Sequence, residues 1–253
     1  MKKIKERIQA GEVVHGCWVN LGSPVSAEIV GQAGFDWGLI DLEHGVGDEQ
    51  TMYSQLQALD ATPCASFVRT DDASRAKVQH ILDSGSAGIM FPQIQTAQEA
   101  ERAISLMYYP PRGVRGMAKM VRATNFGSTF HDYVDNLDKI IVGIIQIETL
   151  GALQDADAIA ALPGVDVLFV GPTDLSIALG VDNINDPKFQ AAIKKVGEVA
   201  KKYNKAAGIL LQDISEYSLY YGLGYRFIAC GGDSQFVLKG AMEMASKMRD
   251  IKR

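Results

Sequence analysis

Short apolar segments alternate with longer amphipathic segments along the whole of this 253-residue chain. The apolar segments have the length of strands, and they fall at residues 13–20, 35–42, 63–68, 87–92, 140–148, 165–170, 206–211 and 226–230. Helical patterns fall at residues 26–33, 48–59, 74–84, 96–107, 150–161, 186–202 and 234–248. Near-continuous apolar strands are typical of a parallel sheet that is covered on both faces. Eight strand-helix units predict the α/β class and a (β/α)8 TIM barrel, with residues 1–253 as a single domain.

Composition and charge exclude several classes of protein. With 47% hydrophobic and 22% charged residues, the chain has the composition of a globular protein. Its net charge of -5 argues against general binding to nucleic acid or to an acidic membrane. No apolar run approaches the roughly 18 residues of a membrane span. The charged start of the chain has no apolar segment behind it, so we expect no secretory signal and a cytoplasmic location.

The three cysteines, Cys17, Cys64 and Cys230, are widely spaced and lie in apolar segments. Such an odd, dispersed set predicts reduced thiols rather than disulfides or a zinc site.

Polar side chains recur where the predicted strands end. They are Asp41, Glu43, His44, Arg69, Gln93, Gln146, Glu148, Asp174, Gln212 and Asp233. In a barrel of this kind, active sites are built where the strands deliver their carboxyl ends. We therefore expect a site there, although loop polarity alone is an adequate explanation for Gln93, Gln212 and Asp233 taken singly.

Two carboxylates, Glu148 and Asp174, end neighbouring predicted strands without a nearby histidine or cysteine. Ligands that offer only oxygen suit a hard divalent cation such as Mg²⁺ or Mn²⁺. Gln146 lies two residues before Glu148, so both side chains point to the same side of the strand.

Arg69 and His44 are the candidates for charge stabilisation and proton transfer. Arg69 offers a permanently charged fork suited to a carboxylate or an enolate oxygen, and a structural ion pair is the competing interpretation. His44 exchanges protons at physiological pH, and Asp41 is a candidate to orient it. The other histidines are interpreted as structural: His15, His80 and His131. No lysine follows a predicted strand, which disfavours a Schiff-base aldolase.

Residues 109–128 form a long basic segment without an acidic residue. Such a long irregular connection is typical of a functional loop, and a solvated connection is the alternative.

Five short motifs resemble the HpcH/HpaI family of metal-dependent pyruvate aldolases. They are GFDW at residues 34–37, IDLEH at 40–44, YPPRGVRG at 109–116, QIET at 146–149 and VGPTDLS at 170–176. The resemblance covers nearly the whole chain, and it implies a class II aldolase that cleaves a 2-keto-4-hydroxy acid to pyruvate and an aldehyde.

The resemblance also implies roles for individual residues. Glu148 and Asp174 would bind Mg²⁺, Mn²⁺ or Co²⁺, while Gln146 and the backbone of Thr173 and Asp174 would hold pyruvate. Arg69 would steady the enolate, and His44 would act as base through a metal-bound water or on the aldol hydroxyl.

Two further expectations follow from the resemblance. Asp83, reaching across a subunit contact, or Asp41 would partner His44. A homohexamer built from three dimers would exchange the last helix between subunits.

Two positions depart from the family pattern. Leu42 stands where glycine is usual, and Thr173 stands where alanine, serine or asparagine is common. These departures leave the aldehyde undefined. The alternatives are a lyase for an acyl-CoA such as citramalyl-CoA, an oxaloacetate decarboxylase, and a non-catalytic barrel that binds a 2-keto acid.

Overall fold

A computed structural model describes residues 3–251 and folds them as a closed barrel of eight parallel strands. The strands pair in chain order, and the last pairs with the first. They are β1 (Val14–Val19), β2 (Trp37–Asp41), β3 (Ala65–Arg69), β4 (Gly88–Phe91), β5 (Val142–Ile147), β6 (Val165–Val170), β7 (Ala206–Leu211) and β8 (Tyr225–Gly232). The predicted (β/α)8 barrel is confirmed, while residues 1–2 and 252–253 of the predicted domain lie outside the described residues.

Helices follow the strands around the barrel. Within residues 3–251 they are α1 (Ile4–Gln9), α2 (Pro24–Gln32), α3 (Glu49–Asp60), α4 (Arg75–Asp83), α5 (Ala97–Ser105), α6 (Phe130–Asp135), α7 (Leu137–Ile140), α8 (Leu150–Gln154), α9 (Ala156–Ala161), α10 (Pro172–Leu179), α11 (Pro187–Lys202), α12 (Tyr217–Gly222) and α13 (Asp233–Ile251). No helix in this part of the chain combines the length and apolarity that a bilayer crossing requires.

The helices differ from the predicted ones in two ways. The helix predicted at 150–161 is divided at Asp155, whose Oδ2 accepts a hydrogen bond from the Ala97 backbone N–H at 2.9 Å. Four short helices, α6, α7, α10 and α12, were not predicted. For α10 the sequence does carry standard signals, because Pro172 is its first residue and Gly180, at φ 67°, ends it.

Aromatic rings fill the interior of the barrel. Trp37 and Phe227 stack with their centroids 4.0 Å apart, and Phe67 meets both rings edge-on. Gly16 makes room for this layer, because a β-carbon at that position would collide with the Trp37 indole. The interior is therefore a packed core, as expected for a barrel of this size.

Helix α1 closes the amino-terminal end of the barrel. Ile4 and Ile8 are buried there, and the Lys5 ammonium donates hydrogen bonds to the Ile141 carbonyl at 2.7 Å and to Asp166 Oδ2 at 2.9 Å. With this end closed, ligands have access from the carboxyl ends of the strands.

The arginines of the basic segment 109–128 are paired with acids on neighbouring elements. The pairs are Arg112 with Asp138, Arg115 with Asp83 and Arg122 with Asp60. Arg112 also lies beside Gly164, immediately before β6, so this part of the segment is at the amino-terminal end of the barrel. The predicted function of the segment stays a prediction, and its arginines have structural partners.

Within residues 3–251 the three cysteines form no disulfide. Cys17 and Cys64 are buried, as expected, whereas Cys230 is partly exposed.

Candidate active site

A cavity of about 610 Å³ lies at the carboxyl-terminal end of the barrel. Six of the polar residues singled out in the sequence line it: His44, Arg69, Gln146, Thr173, Asp174 and Gln212. Asp41 and Glu148 lie behind this wall and are 3% and 2% exposed. The structure thus brings most of the predicted site residues to one place.

Asp41 and Arg69 end the neighbouring strands β2 and β3, where they are register partners. Arg69 donates from Nε to Asp41 Oδ1 at 2.9 Å and from Nη2 to Oδ2 at 2.7 Å. Asp41 Oδ1 also accepts hydrogen bonds from the backbone N–H groups of Glu43 and His44, at 3.1 and 3.2 Å. One buried carboxylate therefore fixes both the guanidinium and the turn that carries the candidate base.

Glu43 provides a second carboxylate for the same guanidinium. Arg69 Nη1 lies 3.0 Å from Glu43 Oε2, and the Arg69 guanidinium also lies 5.8 Å from the Trp18 ring centre. Burial raises the pKa of Glu43, and the nearby charges of Arg69 and His44 oppose this shift. Arg69 is thus held in place between two acids and an aromatic face, which limits its motion.

His44 stands at the mouth of the cavity with its side chain 70% exposed. Its Nε2 lies 4.0 Å from Glu43 Oε1, and its backbone N–H donates to Asp41 Oδ1. The other histidines contact residues outside the cavity or its wall, with His15 Nε2 2.9 Å from Tyr217 Oη and His80 Nδ1 3.0 Å from Glu49. His44 is therefore the histidine of the described chain that faces the cavity.

Gln146 and Glu148 form a connected pair at the end of β5. Gln146 Nε2 donates to Glu148 Oε2 at 2.6 Å, and the Gln93 backbone N–H donates to Glu148 Oε1 at 2.7 Å. Gln93 has a left-handed backbone, with φ 55°, and takes part through that N–H. Gly171 is required beside them, because a β-carbon there would collide with Glu148 Oε2.

The Glu148 carboxylate sits in an unfavourable electrostatic environment. Burial, helped by the negative charges of Asp174 and Glu43, raises its pKa to about 7 against the opposing Gln93 hydrogen bond and Arg69 charge. A carboxylate in this environment would be stabilised by a cation nearby. Each carboxylate oxygen retains a second lone pair beyond its present hydrogen bond.

The donor set fits a hard divalent cation better than a zinc-type site. Within residues 3–251, no group of three or more histidine, cysteine, aspartate or glutamate side chains has a metal-binding arrangement. Mg²⁺ and Mn²⁺ take one or two carboxylates and complete their shells with water and substrate oxygens. Glu148 and Asp174 meet that requirement, and Gln146 Oε1, buried without a hydrogen-bond partner, adds a neutral oxygen beside them.

The structure does not bring Asp83 to His44 within one chain. Asp83 ends α4, whose carboxyl end leads back to the start of β4, at the opposite end of the barrel from the cavity. Its Oδ1 accepts a hydrogen bond of 2.6 Å from Arg115, whose side chain is fully buried. A pairing of Asp83 with His44 across a subunit contact stays a prediction.

Asp233, the last polar residue predicted at a strand end, has a structural role. Its carboxylate is 3% exposed and accepts hydrogen bonds from Asn20 N at 3.0 Å, Leu21 N at 3.3 Å and Ser26 Oγ at 2.6 Å.

Several residues of the cavity wall were missed in the sequence, among them Trp18, Asn20, Ser234 and Gln235. Trp18 and Asn20 both lie at the end of β1. Asn20 ends the predicted first strand, so the rule applied to the other strands would have found it. Trp18 carried no such signal, because an aromatic residue in a strand is ordinary core.

Comparisons with known proteins agree with this geometry. The sequence model of the HpcH/HpaI aldolase/citrate lyase family matches residues 15–239. A hydroxypyruvate/pyruvate aldolase of Paraburkholderia phytofirmans is 38% identical, over 97% of each chain. A 5-keto-4-deoxy-D-glucarate aldolase of an Enterobacter species is 37% identical, over 98% of this chain and 96% of that protein. The crystal structure of an HpcH/HpaI aldolase/citrate lyase family protein from Burkholderia cenocepacia superposes with a TM-score of 0.93 and 35% identity, covering 98% of this chain and all of the other.

Proposed function

The chain belongs to the HpcH/HpaI aldolase/citrate lyase family, and we propose that it is a divalent-metal-dependent aldolase that reversibly cleaves a 2-keto-4-hydroxy acid to pyruvate and an aldehyde. The aldolase names of its relatives support this carbon-carbon lyase activity. The main support for the proposal is that His44, Arg69, Gln146 and Asp174 line the same cavity, although they come from four different segments of the chain.

The proposed reaction begins with the loss of a proton from the C4 hydroxyl. His44 faces the cavity with an exposed ring, so it is the proposed base at that oxygen. The C3–C4 bond then breaks, the aldehyde leaves, and the electron pair forms the pyruvate enolate. Protonation of C3 completes the cleavage, and the reverse sequence forms the new bond.

Arg69 is the proposed stabiliser of the enolate. Its guanidinium is held by Asp41 and Glu43 before substrate binds, so little reorganisation is required when negative charge develops. Preorganised donors of this kind typically contribute about 2.7 to 4 kcal/mol to the stability of a transition state. Gln146 and the backbone at Thr173 and Asp174 are the proposed contacts for pyruvate.

Glu148 and Asp174 are the residues proposed to hold Mg²⁺, Mn²⁺ or Co²⁺. A divalent cation there would act as a Lewis acid toward the keto oxygen. The raised pKa of Glu148 supports this assignment, because the nearby acids and the burial that raise it both favour a bound cation.

Helix α13 supports the proposal of a homo-oligomer with exchanged last helices. Several of its large apolar side chains are exposed in the single chain: Phe236, Val237, Leu238, Met242, Met244, Met248 and Ile251. A helix with so much apolar surface in water is typical of a subunit interface. A hexamer of three dimers remains the specific form that we propose.

The alternative functions differ in what they require of the chain. An acyl-CoA lyase needs cationic side chains near the cavity to bind the phosphates of coenzyme A. The arginines of segment 109–128 are instead paired with acids at the opposite end of the barrel. Oxaloacetate decarboxylation would use the same enolate site without proton removal from a C4 hydroxyl. A barrel that only binds a 2-keto acid would not need an exposed base at the cavity mouth.

The proposal is tested by following pyruvate release from 2-keto-4-hydroxy acids with purified protein. We expect release that depends on Mg²⁺, Mn²⁺ or Co²⁺, stops with EDTA and falls sharply in His44→Ala. Release from oxaloacetate alone would favour the decarboxylase, and faster turnover of citramalyl-CoA than of free acids would favour the acyl-CoA lyase. No turnover of any of these substrates with any of the metals would contradict the proposal.

A further inference from the structure

Glu43 lies between the proposed base and the proposed stabiliser of the enolate. Its Oε1 is 4.0 Å from His44 Nε2, and its Oε2 is 3.0 Å from Arg69 Nη1. The Glu43 side chain is 16% exposed, whereas the His44 side chain is 70% exposed. Glu43 is not among the residues that line the cavity, so any effect it has on the substrate passes through these two neighbours.

The two other acids considered for His44 are engaged elsewhere in the single chain. Asp41 binds Arg69 through both of its oxygens and reaches His44 only through the backbone N–H of that residue. Asp83 accepts a hydrogen bond from Arg115 at the opposite end of the barrel. Within residues 3–251, Glu43 is therefore the one acid whose carboxylate lies within 4.0 Å of a His44 ring nitrogen.

The charge of Arg69 favours the ionised form of Glu43. A guanidinium is permanently charged, and at 3.0 Å it opposes the burial that disfavours a carboxylate. An ionised carboxylate offers acceptors only, so the imidazole nitrogen that faces it is favoured to carry the proton. In His44 that nitrogen is Nε2, which leaves the lone pair of the neutral ring on Nδ1.

From this arrangement we propose that Glu43 is a positioning residue, which orients the His44 ring with Nε2–H toward Oε1 and leaves Nδ1 to accept the proton of the C4 hydroxyl. The inference rests on the proposed aldolase function and adds a residue to it. During cleavage the hydroxyl proton moves to Nδ1, the O–H electron pair completes the aldehyde carbonyl, and the C3–C4 pair forms the enolate.

The imidazolium that results lies beside the Glu43 carboxylate, which stabilises its positive charge. Contacts between catalytic groups are commonly long before substrate binds and shorten in the complex, so a separation of 4.0 Å is compatible with this role.

Glu43→Gln removes the charge and keeps the shape of the side chain. We expect kcat for pyruvate release from a 2-keto-4-hydroxy acid to fall by about tenfold, with little change in KM, because the cavity lining is unaltered. Glu43→Asp keeps the charge and should retain more activity than Glu43→Gln.

A double-mutant cycle with His44→Ala distinguishes action through the base from action through Arg69. When the His44 ring is absent, Glu43→Gln should change the residual turnover by less than about twofold. A loss of about tenfold in both backgrounds would show that Glu43 acts independently of the ring. The cycle can also be built on Glu43→Asp, and thermal unfolding of each variant reports whether it is folded.

Glu49→Gln is the matched control. Glu49 lies 3.0 Å from His80 Nδ1, so it forms another pair of a glutamate with a histidine, and neither residue lines the cavity. Its kcat and KM should equal those of the unmodified enzyme.

The outcomes separate this inference from the function on which it rests. An unchanged kcat in Glu43→Gln, equal activity of the Asp and Gln variants, or additivity with His44→Ala would overturn the role of Glu43 and leave the aldolase intact. No pyruvate release by the unmodified enzyme with Mg²⁺, Mn²⁺ or Co²⁺ would overturn the proposed function and the inference with it.

Discussion

Arg69 is bound by Asp41 through two parallel hydrogen bonds, from Nε to Oδ1 at 2.9 Å and from Nη2 to Oδ2 at 2.7 Å. The same Oδ1 accepts the backbone N–H of His44 at 3.2 Å. A single carboxylate at the end of β2 therefore orients the proposed enolate stabiliser and the backbone of the proposed base. This makes Asp41 a positioning residue rather than a demonstrated partner of the His44 ring.

Replacing Asp41 with asparagine should lower activity without changing the reaction. Asparagine retains one acceptor but removes the charge and the second parallel bond, so Arg69 keeps only Glu43 as a charged partner. We expect kcat to fall by about 10- to 100-fold, with a smaller change in KM, because a preorganised donor is loosened. Steady-state kinetics with a 2-keto-4-hydroxy acid measures both.

The matched control for this change is Asp71→Asn, which breaks the exposed pair of Asp71 with Lys77 at 2.7 Å. Exposed ion pairs contribute little to stability, so the kinetics of Asp71→Asn should equal those of the unmodified enzyme. Full activity in Asp41→Asn would contradict the positioning role.

The stability of the metal-free protein should depend on the ionisation of Glu148. Its pKa is raised from 4.5 to about 7, so the folded state holds the proton more tightly than the unfolded state does. The resulting stabilisation is fully present below the unfolded pKa and is lost as pH rises through the folded pKa. The loss is on the order of 3 kcal/mol, since each pKa unit between 4.5 and about 7 corresponds to about 1.4 kcal/mol.

Calorimetry in EDTA from about pH 4 to pH 8 measures this loss, and Mg²⁺ should restore stability mainly at the upper end, where Glu148 is ionised. In Glu148→Gln the loss attributed to Glu148 and the gain from Mg²⁺ should both disappear. An equal gain from Mg²⁺ in the variant would place the cation elsewhere.

A methyl group at Gly171 should disturb the site more than the fold. The added β-carbon would collide with Glu148 Oε2 and crowd Gln146 Nε2, so the carboxylate has to move. We expect Gly171→Ala to weaken metal activation by at least about tenfold while the barrel stays folded. Titration of activity with Mn²⁺ gives the apparent affinity.

Gly222→Ala is the control for this substitution, because a β-carbon at Gly222 meets nothing within 4 Å. Unchanged metal activation in Gly171→Ala would show that metal binding does not depend on the close approach of Glu148 Oε2 to residue 171.

Asp83 can be tested for two different roles. Within one chain it is the charged partner of the buried Arg115, and removing that charge should cost about 3 kcal/mol of stability. A role as partner of His44 across subunits would instead lower kcat. Denaturant unfolding and kinetics of Asp83→Asn distinguish the structural role from the catalytic one. The control is Asp60→Asn, which breaks the more exposed ion pair of Asp60 with Arg122.

A large loss of kcat with unchanged stability would assign Asp83 to catalysis. The structure of the single chain leads us to expect the loss of stability.

The barrel was predictable because its signals are local and repeated. The largely apolar runs at 165–170 and 206–211 coincide with β6 and β7 to the residue, since a strand buried on both faces needs mostly apolar side chains. The prediction of one helix over 150–161 was wrong, because the helix is interrupted at Asp155. The Asp155 side chain accepts a hydrogen bond from the backbone N–H of Ala97 in α5, and no local sequence pattern contains such a tertiary contact.

The sequence predicts which strand ends contribute to the site, but not which hydrogen bonds and ion pairs join the residues there. The positions of Asp41, Glu43 and Arg69 at strand exits could be read from the sequence, whereas the way one guanidinium is shared between two acids depends on register. Asn20 could have been found by the same strand-end rule, but not the burial of its Oδ1 without a hydrogen-bond partner. Such information comes only from the packed structure.

The assignment of Glu148 and Asp174 to one divalent cation is tested most directly by Mn²⁺ binding, followed by electron paramagnetic resonance. We predict that the unmodified protein binds Mn²⁺ and that added pyruvate changes the spectrum of the bound ion. Glu148→Gln and Asp174→Asn should each lose this binding, whereas Asp182→Asn, at an exposed carboxylate outside the cavity lining, should retain it. Mn²⁺ bound with unchanged affinity in both site variants, or bound without any response to pyruvate, would contradict the account.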